Sequence, residues 1–167
     1  MNRYGKLAGI LIAVSAIGAA AEAAEVSMVG TTNLLGLGDT YVVGENHLYF
    51  VGKFVGHYVD DNASGPFHLA TVTCPGWNEP GIIAGGYCII RDLAGDEAYL
   101  SFQCVDQPGP PAGAILSGNC TGSFLGGTGT FAGATGNGGF YVVLINVNPD
   151  GSAPIYADWN FTVSLPD

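Results

Sequence analysis

Few side chains of this 167-residue chain could do acid–base chemistry. His68 and Tyr58 are the first candidates, because they flank the turn-forming stretch 60–66, DDNASGP. If both face the same interior, an imidazole and a phenol at the mouth of a cavity could polarise an epoxide or a carbonyl group. A lone histidine that caps a turn is the commoner case and needs no chemistry. His68 and Tyr58 are therefore catalytic candidates only, and no other catalytic residue is predicted.

Two further groups of charged residues are interpreted as structural. Glu45 and His47 lie two apart on a predicted strand and so share a face, but that face is the less apolar one, which predicts a solvated pair. Asp92 is expected to accept hydrogen bonds within a turn, with Arg91 as its ion partner. The cysteines and histidines lack the close spacing of zinc ligands. Neither a metal site nor another cofactor is predicted.

An export signal is predicted at residues 1–23. Arg3 and Lys6 form a basic start, residues 7–19 are mostly apolar, and residues 21–23 (AEA) make a small-x-small cleavage signal. The apolar run is shorter than the roughly 20 residues that a membrane-spanning helix needs, so no transmembrane span is predicted. Cleavage after Ala23 would leave residues 24–167 as a single secreted or periplasmic domain.

The chain that follows this signal is strongly acidic. Its strong bases are Lys53 and Arg91, against 13 of the 14 Asp and Glu residues of the whole chain. Such a surface repels phosphate backbones and offers no basic patch that could release counterions. The composition therefore excludes nucleic acid as a partner.

The four cysteines are interpreted as two disulfide bonds, because an even count in an exported chain is typical of a disulfide framework. Cys74 and Cys88 flank the turn signal NEPG symmetrically, and Cys104 and Cys120 flank QPGPP in the same way. Opposed positions on two hairpins favour the pairing 74–88 with 104–120. The alternative joins Cys88 to Cys104 across the next turn and leaves Cys74 to bond Cys120.

Alternation of apolar and polar residues dominates the chain, and no segment keeps the 3.6-residue period of a helix. The clearest strands are 153–165 and 47–59. Turn sequences separate further strands at about 26–31, 40–45, 67–74, 82–91, 97–106, 115–124 and 138–147. Eight or nine strands without a crossover helix predict an all-β, antiparallel up-and-down barrel, with a two-sheet sandwich as the alternative. The interior is expected to hold Leu100, Phe102, Phe140, Val142, Trp159, Phe161 and Val163.

The segment 126–136, GGTGTFAGATG, holds five glycines in eleven residues. Interior glycines destabilise a helix, so the segment indicates a tight loop in which glycines take positive φ and Phe131 anchors the loop in the core. It resembles the GGTG-Phe turn of dirigent proteins, and still more the GTG-[Phe/Tyr]-AGA-[Thr/Ser]-G run of bacterial allene-oxide-cyclase-like barrel proteins. The run GGYC at 85–88, followed by Asp92-x-x-Gly95-Asp96, is similar to a hairpin of the same bacterial proteins.

This resemblance covers about residues 40–165 and points to an exported bacterial branch of the allene oxide cyclase-like and dirigent-like superfamily. It implies an eight-stranded barrel with an apolar cavity, often assembled as a homodimer or homotrimer. Some members cyclise unsaturated fatty-acid epoxides, and dirigent proteins steer radical coupling. The motifs are turn and packing motifs, so the resemblance speaks to fold more than to chemistry.

Two functions follow as predictions. The first is a non-catalytic exported barrel that binds a small apolar molecule or serves as a structural module of the cell envelope. The alternative is a cofactor-free isomerase or cyclase of allene oxide cyclase type, acting on an unsaturated lipid or polyketide-like substrate. The scarcity of interior acid–base groups favours the first. The predicted ligand cavity is bounded by Phe50, Phe54, Tyr58, His68, Tyr87, Phe102 and Trp159.

Overall fold

A computed structural model describes residues 23–45 and 47–166 of the chain. Residues 1–22 of the predicted export signal lie outside the described part. Eight strands make up nearly all of the regular structure: β1 (Ala24–Val42), β2 (Leu48–Asp60), β3 (Thr71–Glu79), β4 (Ile83–Arg91), β5 (Glu97–Gln107), β6 (Leu116–Gly127), β7 (Thr135–Leu144) and β8 (Ala153–Leu165).

The strands form a closed antiparallel barrel. Each strand pairs with the next along the chain, and β8 returns to pair with β1, from Ala24 opposite Leu165 to Gly36 opposite Ala153. Closure leaves no unpaired sheet edge, which is the liability that an open sheet of this size would carry. The predicted all-β, eight-stranded up-and-down barrel is confirmed, and the sandwich alternative is wrong.

The largest differences from the predicted strand bounds are in β1 and β3; β6 ends three residues later than predicted, and β7 starts and ends three residues earlier. The predicted strands 26–31 and 40–45 are replaced by one long strand, β1, which ends at Val42; its first part pairs with β8 and its last part pairs with β2. The prediction left residues 32–39 between two strands, whereas they continue β1, and Gly36 and Gly38 lie against the rings of Phe54 and Phe50. The third strand was predicted to start at residue 67 but begins at Thr71, because Leu69 takes a positive φ of 62° and interrupts the extended chain.

The barrel interior follows the alternation of the sequence. On β8, Ala157, Trp159, Phe161 and Val163 are buried while Asp158, Asn160 and Thr162 between them are exposed. Every residue of the predicted interior set points inward. Leu100 and Phe140 are buried as well, and Phe102 and Val142 are half-buried and pack against the same core. Burial of about 25 cal/mol per Å² of apolar surface is the main stabilising term of such an interior.

Both disulfides staple neighbouring strands inside the barrel. Cys74 on β3 is bonded to Cys88 on β4, and Cys104 on β5 is bonded to Cys120 on β6. The pairing that the hairpin symmetry favoured is confirmed. Each bond closes a loop of about 15 residues, which in the chain-entropy account stabilises the fold by about 3 kcal/mol.

One end of the barrel is closed by aromatic side chains. Phe67, from the β2–β3 loop, stacks on Phe131 from the glycine-rich segment with 4.9 Å between ring centroids, and Phe124 packs 5.8 Å from Phe67. Phe131 is fully buried, and Gly129 and Gly133 beside it take positive φ, as the sequence predicted. The glycine-rich segment is therefore the plug of this end, and Phe131 is its anchor.

Replacing Phe131 by alanine should lower the free energy of unfolding by about 3–5 kcal/mol, the usual effect of deleting a buried phenyl group and leaving a cavity. Urea unfolding of Phe131→Ala measures the change. The control is Leu125→Ala, because Leu125 is 58% exposed on the outer face of β6 and its removal should have an effect below about 0.5 kcal/mol. Equal effects of the two substitutions would show that the loop does not plug the barrel.

Candidate functional site

The opposite end of the barrel opens into an apolar cavity of about 160 Å³. Its walls carry five aromatic side chains from four strands: Phe50 and Phe54 of β2, Phe102 of β5, Phe140 of β7 and Trp159 of β8. An engineered apolar cavity of about 150 Å³ holds benzene. The cavity can therefore take one ring-sized apolar group, with further atoms reaching through the mouth.

Trp159 forms the floor of this cavity and is held rigidly. Its ring stacks on Phe140 at 4.8 Å between centroids and meets Tyr58 edge-on at 6.2 Å. Its indole Nε1–H donates a hydrogen bond of 2.9 Å to Oγ1 of Thr32, and both side chains are buried. A buried indole N–H without an acceptor would be costly, so Thr32 fixes the ring in one orientation.

Two polar side chains of the cavity wall lie at the mouth, on either side of the β3–β4 turn. Asp106 of β5 accepts a hydrogen bond from the backbone N–H of Gly81 in that turn. Partial burial raises the pKa of the Asp106 carboxyl, against the lowering effect of backbone N–H groups of Gly81 and Ile82. Asn78 of β3 completes the pair, and its buried side-chain oxygen has no hydrogen-bond partner among the described residues.

Four of the seven residues predicted to bound a ligand cavity line the one observed: Phe50, Phe54, Phe102 and Trp159. Tyr58 faces inward as predicted but lies outside the cavity, packed against the edge of Trp159. Its hydroxyl donates to Oδ2 of Asp60 at 3.2 Å, and burial together with the Asp60 charge raises the pKa of Tyr58. The Tyr58 hydroxyl is therefore engaged with Asp60 and does not line the cavity.

Two of the seven residues are wrongly placed by the prediction. Tyr87 is 60% exposed on the outer surface, because its neighbour Cys88 points inward to bond Cys74 and successive side chains of a strand alternate. His68 lies in the β2–β3 loop at the closed end, before the positive-φ residue Leu69, and does not share the inward face of β3. The predicted His68–Tyr58 acid–base pair at a cavity mouth therefore does not form.

The charged residues that were interpreted as structural form ion pairs and turn hydrogen bonds, but two of them have partners other than those predicted. His47 lies 3.5 Å from Glu79 on β3 rather than pairing with Glu45. Arg91 donates from Nε to Glu97 at 3.0 Å rather than to Asp92. Oδ1 of Asp92 accepts backbone N–H groups of the β4–β5 turn, at 2.8–2.9 Å, which confirms its turn role.

Within the described ranges, no three His, Cys, Asp or Glu side chains converge in a way that could hold a metal ion. The same ranges contain no helix that is long and apolar enough to cross a membrane.

Comparison with known proteins gives one structural likeness. No family model and no curated protein matches the chain. The solved structure of a pterocarpan synthase dirigent protein is similar over 97% of this chain and 99% of its own, with a TM-score of 0.49 and 12% sequence identity. The barrel architecture implied by the sequence resemblance stands on the strand pairing described above.

Sequence reasoning missed Asp106 and Asn78 as residues of the site. The alternation on β5 does predict that Asp106 points inward, because Leu100, Phe102 and Cys104 precede it at two-residue spacing on the inward face. Asn78 was assigned to a turn, whereas β3 continues to Glu79 and carries Asn78 on the same face as Cys74. The sequence could not show how far along the barrel axis Trp159 lies. That position decides which inward-pointing side chains line the cavity.

The raised pKa of Asp106 predicts a pH-dependent stability difference. The folded chain binds the Asp106 proton more tightly than the unfolded chain, so this group's contribution falls as pH rises from the unfolded pKa, about 3.9, through the raised folded value. In urea unfolding, Asp106→Asn should therefore gain stability relative to the natural chain as pH rises through that window.

Asp150 supplies a control of opposite sign. Hydrogen bonds from Ser152 hold the pKa of Asp150 below its usual range, so its contribution is present at neutral pH and lost on acidification. Asp150→Asn should lose stability relative to the natural chain as pH rises. The same trend in both variants would contradict the burial of the Asp106 carboxyl.

Proposed function

We propose that this protein is a non-catalytic exported barrel that binds a small apolar molecule in the cavity above Trp159. The observation that carries the proposal is the arrangement of the interior. One half is packed solid with aromatic side chains, and the other half is an aromatic-lined space that opens at one end. Concave, mostly apolar sites with a few polar groups at the rim are the usual form of small-molecule sites.

The side chains available in the cavity favour binding over catalysis. General acid–base chemistry uses groups placed to give and to take protons. Among the described residues, the cavity wall offers one ionisable side chain, Asp106, and the chain's three histidines, His47, His57 and His68, lie outside it. The alternative, an isomerase or cyclase of allene oxide cyclase type, relied on His68 and Tyr58, neither of which reaches the cavity.

Export is part of the proposal and is supported from two directions. The basic, apolar and small-residue pattern of residues 1–23 is that of a secretory signal. The two disulfides are bonds that persist in oxidising compartments such as the periplasm or the cell exterior. A homodimer or homotrimer, as the resemblance implies, is compatible with a ligand that enters through the open end.

Filling the cavity with a larger side chain should weaken ligand binding. Ala84 is a buried wall residue of the cavity, and Ala84→Phe places a phenyl group in the space that the ligand would use. We expect this variant to weaken binding of cyclohexylmethanol, a neutral ring-sized probe, at least tenfold in a calorimetric or NMR titration of the chain from residue 24. The control is Val105→Phe, since Val105 is 55% exposed on the outer face of β5.

Equal affinities of these two variants would mean that the probe binds elsewhere. Native mass spectrometry of the protein purified from its own host should also show a bound molecule in the natural chain and in Val105→Phe, but not in Ala84→Phe.

A further inference from the structure

Two acceptors lie at one side of the cavity mouth, the Asp106 carboxylate and the side-chain oxygen of Asn78, while Thr40 and Ser117 add hydroxyl groups to the wall. Asp106 is the single ionisable side chain of the cavity wall, and Gly81 occupies one of its two carboxylate oxygens. Asn78 precedes the same turn and presents a buried oxygen with no partner among residues 23–45 and 47–166. A buried acceptor without a donor is unfavourable, so a ligand that brings a donor would satisfy it.

Among the described residues, carboxylates outnumber bases around the mouth, where His47 lies 3.5 Å from Glu79. Glu79 adjoins Asn78, and Asp150 lies in the β7–β8 loop at the same end of the barrel. Lys53 lies outside the cavity wall, exposed on the outward face of β2, and Arg91 is at the opposite end in its pair with Glu97. A cleft lined by one sign of charge concentrates ligands of the other sign and repels those of its own. The mouth therefore favours a cation and opposes a carboxylate.

The aromatic walls suit the same ligand. Ring faces attract a cation that lies within about 6 Å of the ring centroid, and they equally accept an apolar group. Phe50 borders Asn78 across the β2–β3 pairing, and Phe102 lies two positions inward of Cys104 on the strand that carries Asp106. A cation held at the mouth would thus lie next to the Phe50 ring, with its apolar part directed past Phe102 to the floor at Trp159.

We propose that the ligand class is a small apolar amine, whose ammonium group is held by Asp106 and Asn78 while its apolar part fills the cavity. This inference rests on the proposed function, because it assigns a chemical class to the same site. It also separates this barrel from any protein that takes free fatty acids, since a carboxylate would meet the acidic mouth.

Three probes that share one ring test the inference: cyclohexylmethylamine, cyclohexylmethanol and cyclohexanecarboxylate, titrated at pH 7 into the chain from residue 24. The amine should bind about tenfold more tightly than the alcohol, the size expected for one hydrogen bond to a charged group, and the carboxylate should bind most weakly. Alcohol affinity equal to or above that of the amine would overturn the assignment of an amine while leaving the apolar site in place. Failure of all three probes to bind would overturn the site itself.

Two variants test which carboxylate is responsible for the preference for the amine over the alcohol. Asp106→Asn should reduce the tenfold preference for the amine over the alcohol to about equal affinities, and a cooperative urea unfolding transition like that of the natural chain shows that the variant is folded. Asp150→Asn removes a carboxylate from the same end of the barrel but not from the cavity wall, and should retain most of the tenfold preference. Loss of the preference in Asp150→Asn and its retention in Asp106→Asn would show that general surface charge, and not the Asp106 carboxylate, selects the amine.

Discussion

The buried hydrogen bond from Trp159 to Thr32 is the interaction on which the division of this barrel depends. An indole can lie across a barrel interior only if its N–H finds an acceptor, and Thr32 on the neighbouring strand supplies one. With the ring fixed in this way, Phe161 and Tyr58 pack against it at 5.6 and 6.2 Å, and Phe140 stacks on it at 4.8 Å. Trp159 thereby forms the boundary between a packed half and an open half.

The open half of the barrel is not filled, because several inward positions of its wall carry small side chains or glycine. Gly38 and Gly52 face each other across the β1–β2 pairing, and a Cβ atom at either position would lie within 3 Å of the Phe50 ring. The ring can therefore lie along the wall instead of crossing the cavity. The two disulfides have the same effect on the other side, since they join their strands inside the barrel with far less volume than two large apolar side chains. Space for a ligand follows from these small wall residues.

Much of the fold could be predicted from the sequence, because the alternation of apolar and polar residues shows which side chains of a strand point into the barrel. The pattern around Trp159 and Phe161 gave the interior face of β8, and the symmetric spacing of Cys74 and Cys88 gave a disulfide. The site was harder. Alternation says that a side chain faces inward but not at what height, so Tyr58 and Phe54 look equivalent in the sequence although only Phe54 meets the cavity.

The errors at Tyr87 and His68 have distinct causes. For Tyr87, the inward direction of Cys88 already required its neighbour to point outward, and that constraint was present in the sequence. For His68, the facing depended on the backbone at Leu69, whose positive φ breaks the alternation. A positive φ at leucine is uncommon and carries no sequence signature, so this part of the site could be found only from the structure.

The barrel is packed below Trp159 and open above it. The most direct measurement is a crystal structure of the chain from residue 24 under xenon pressure, because xenon enters apolar cavities without needing a polar partner. We expect a xenon atom in the cavity lined by Phe50, Phe54 and Phe102, on the open side of Trp159, and none among Phe67, Phe124 and Phe131. A barrel without xenon above Trp159, with side chains filling that space, would contradict it.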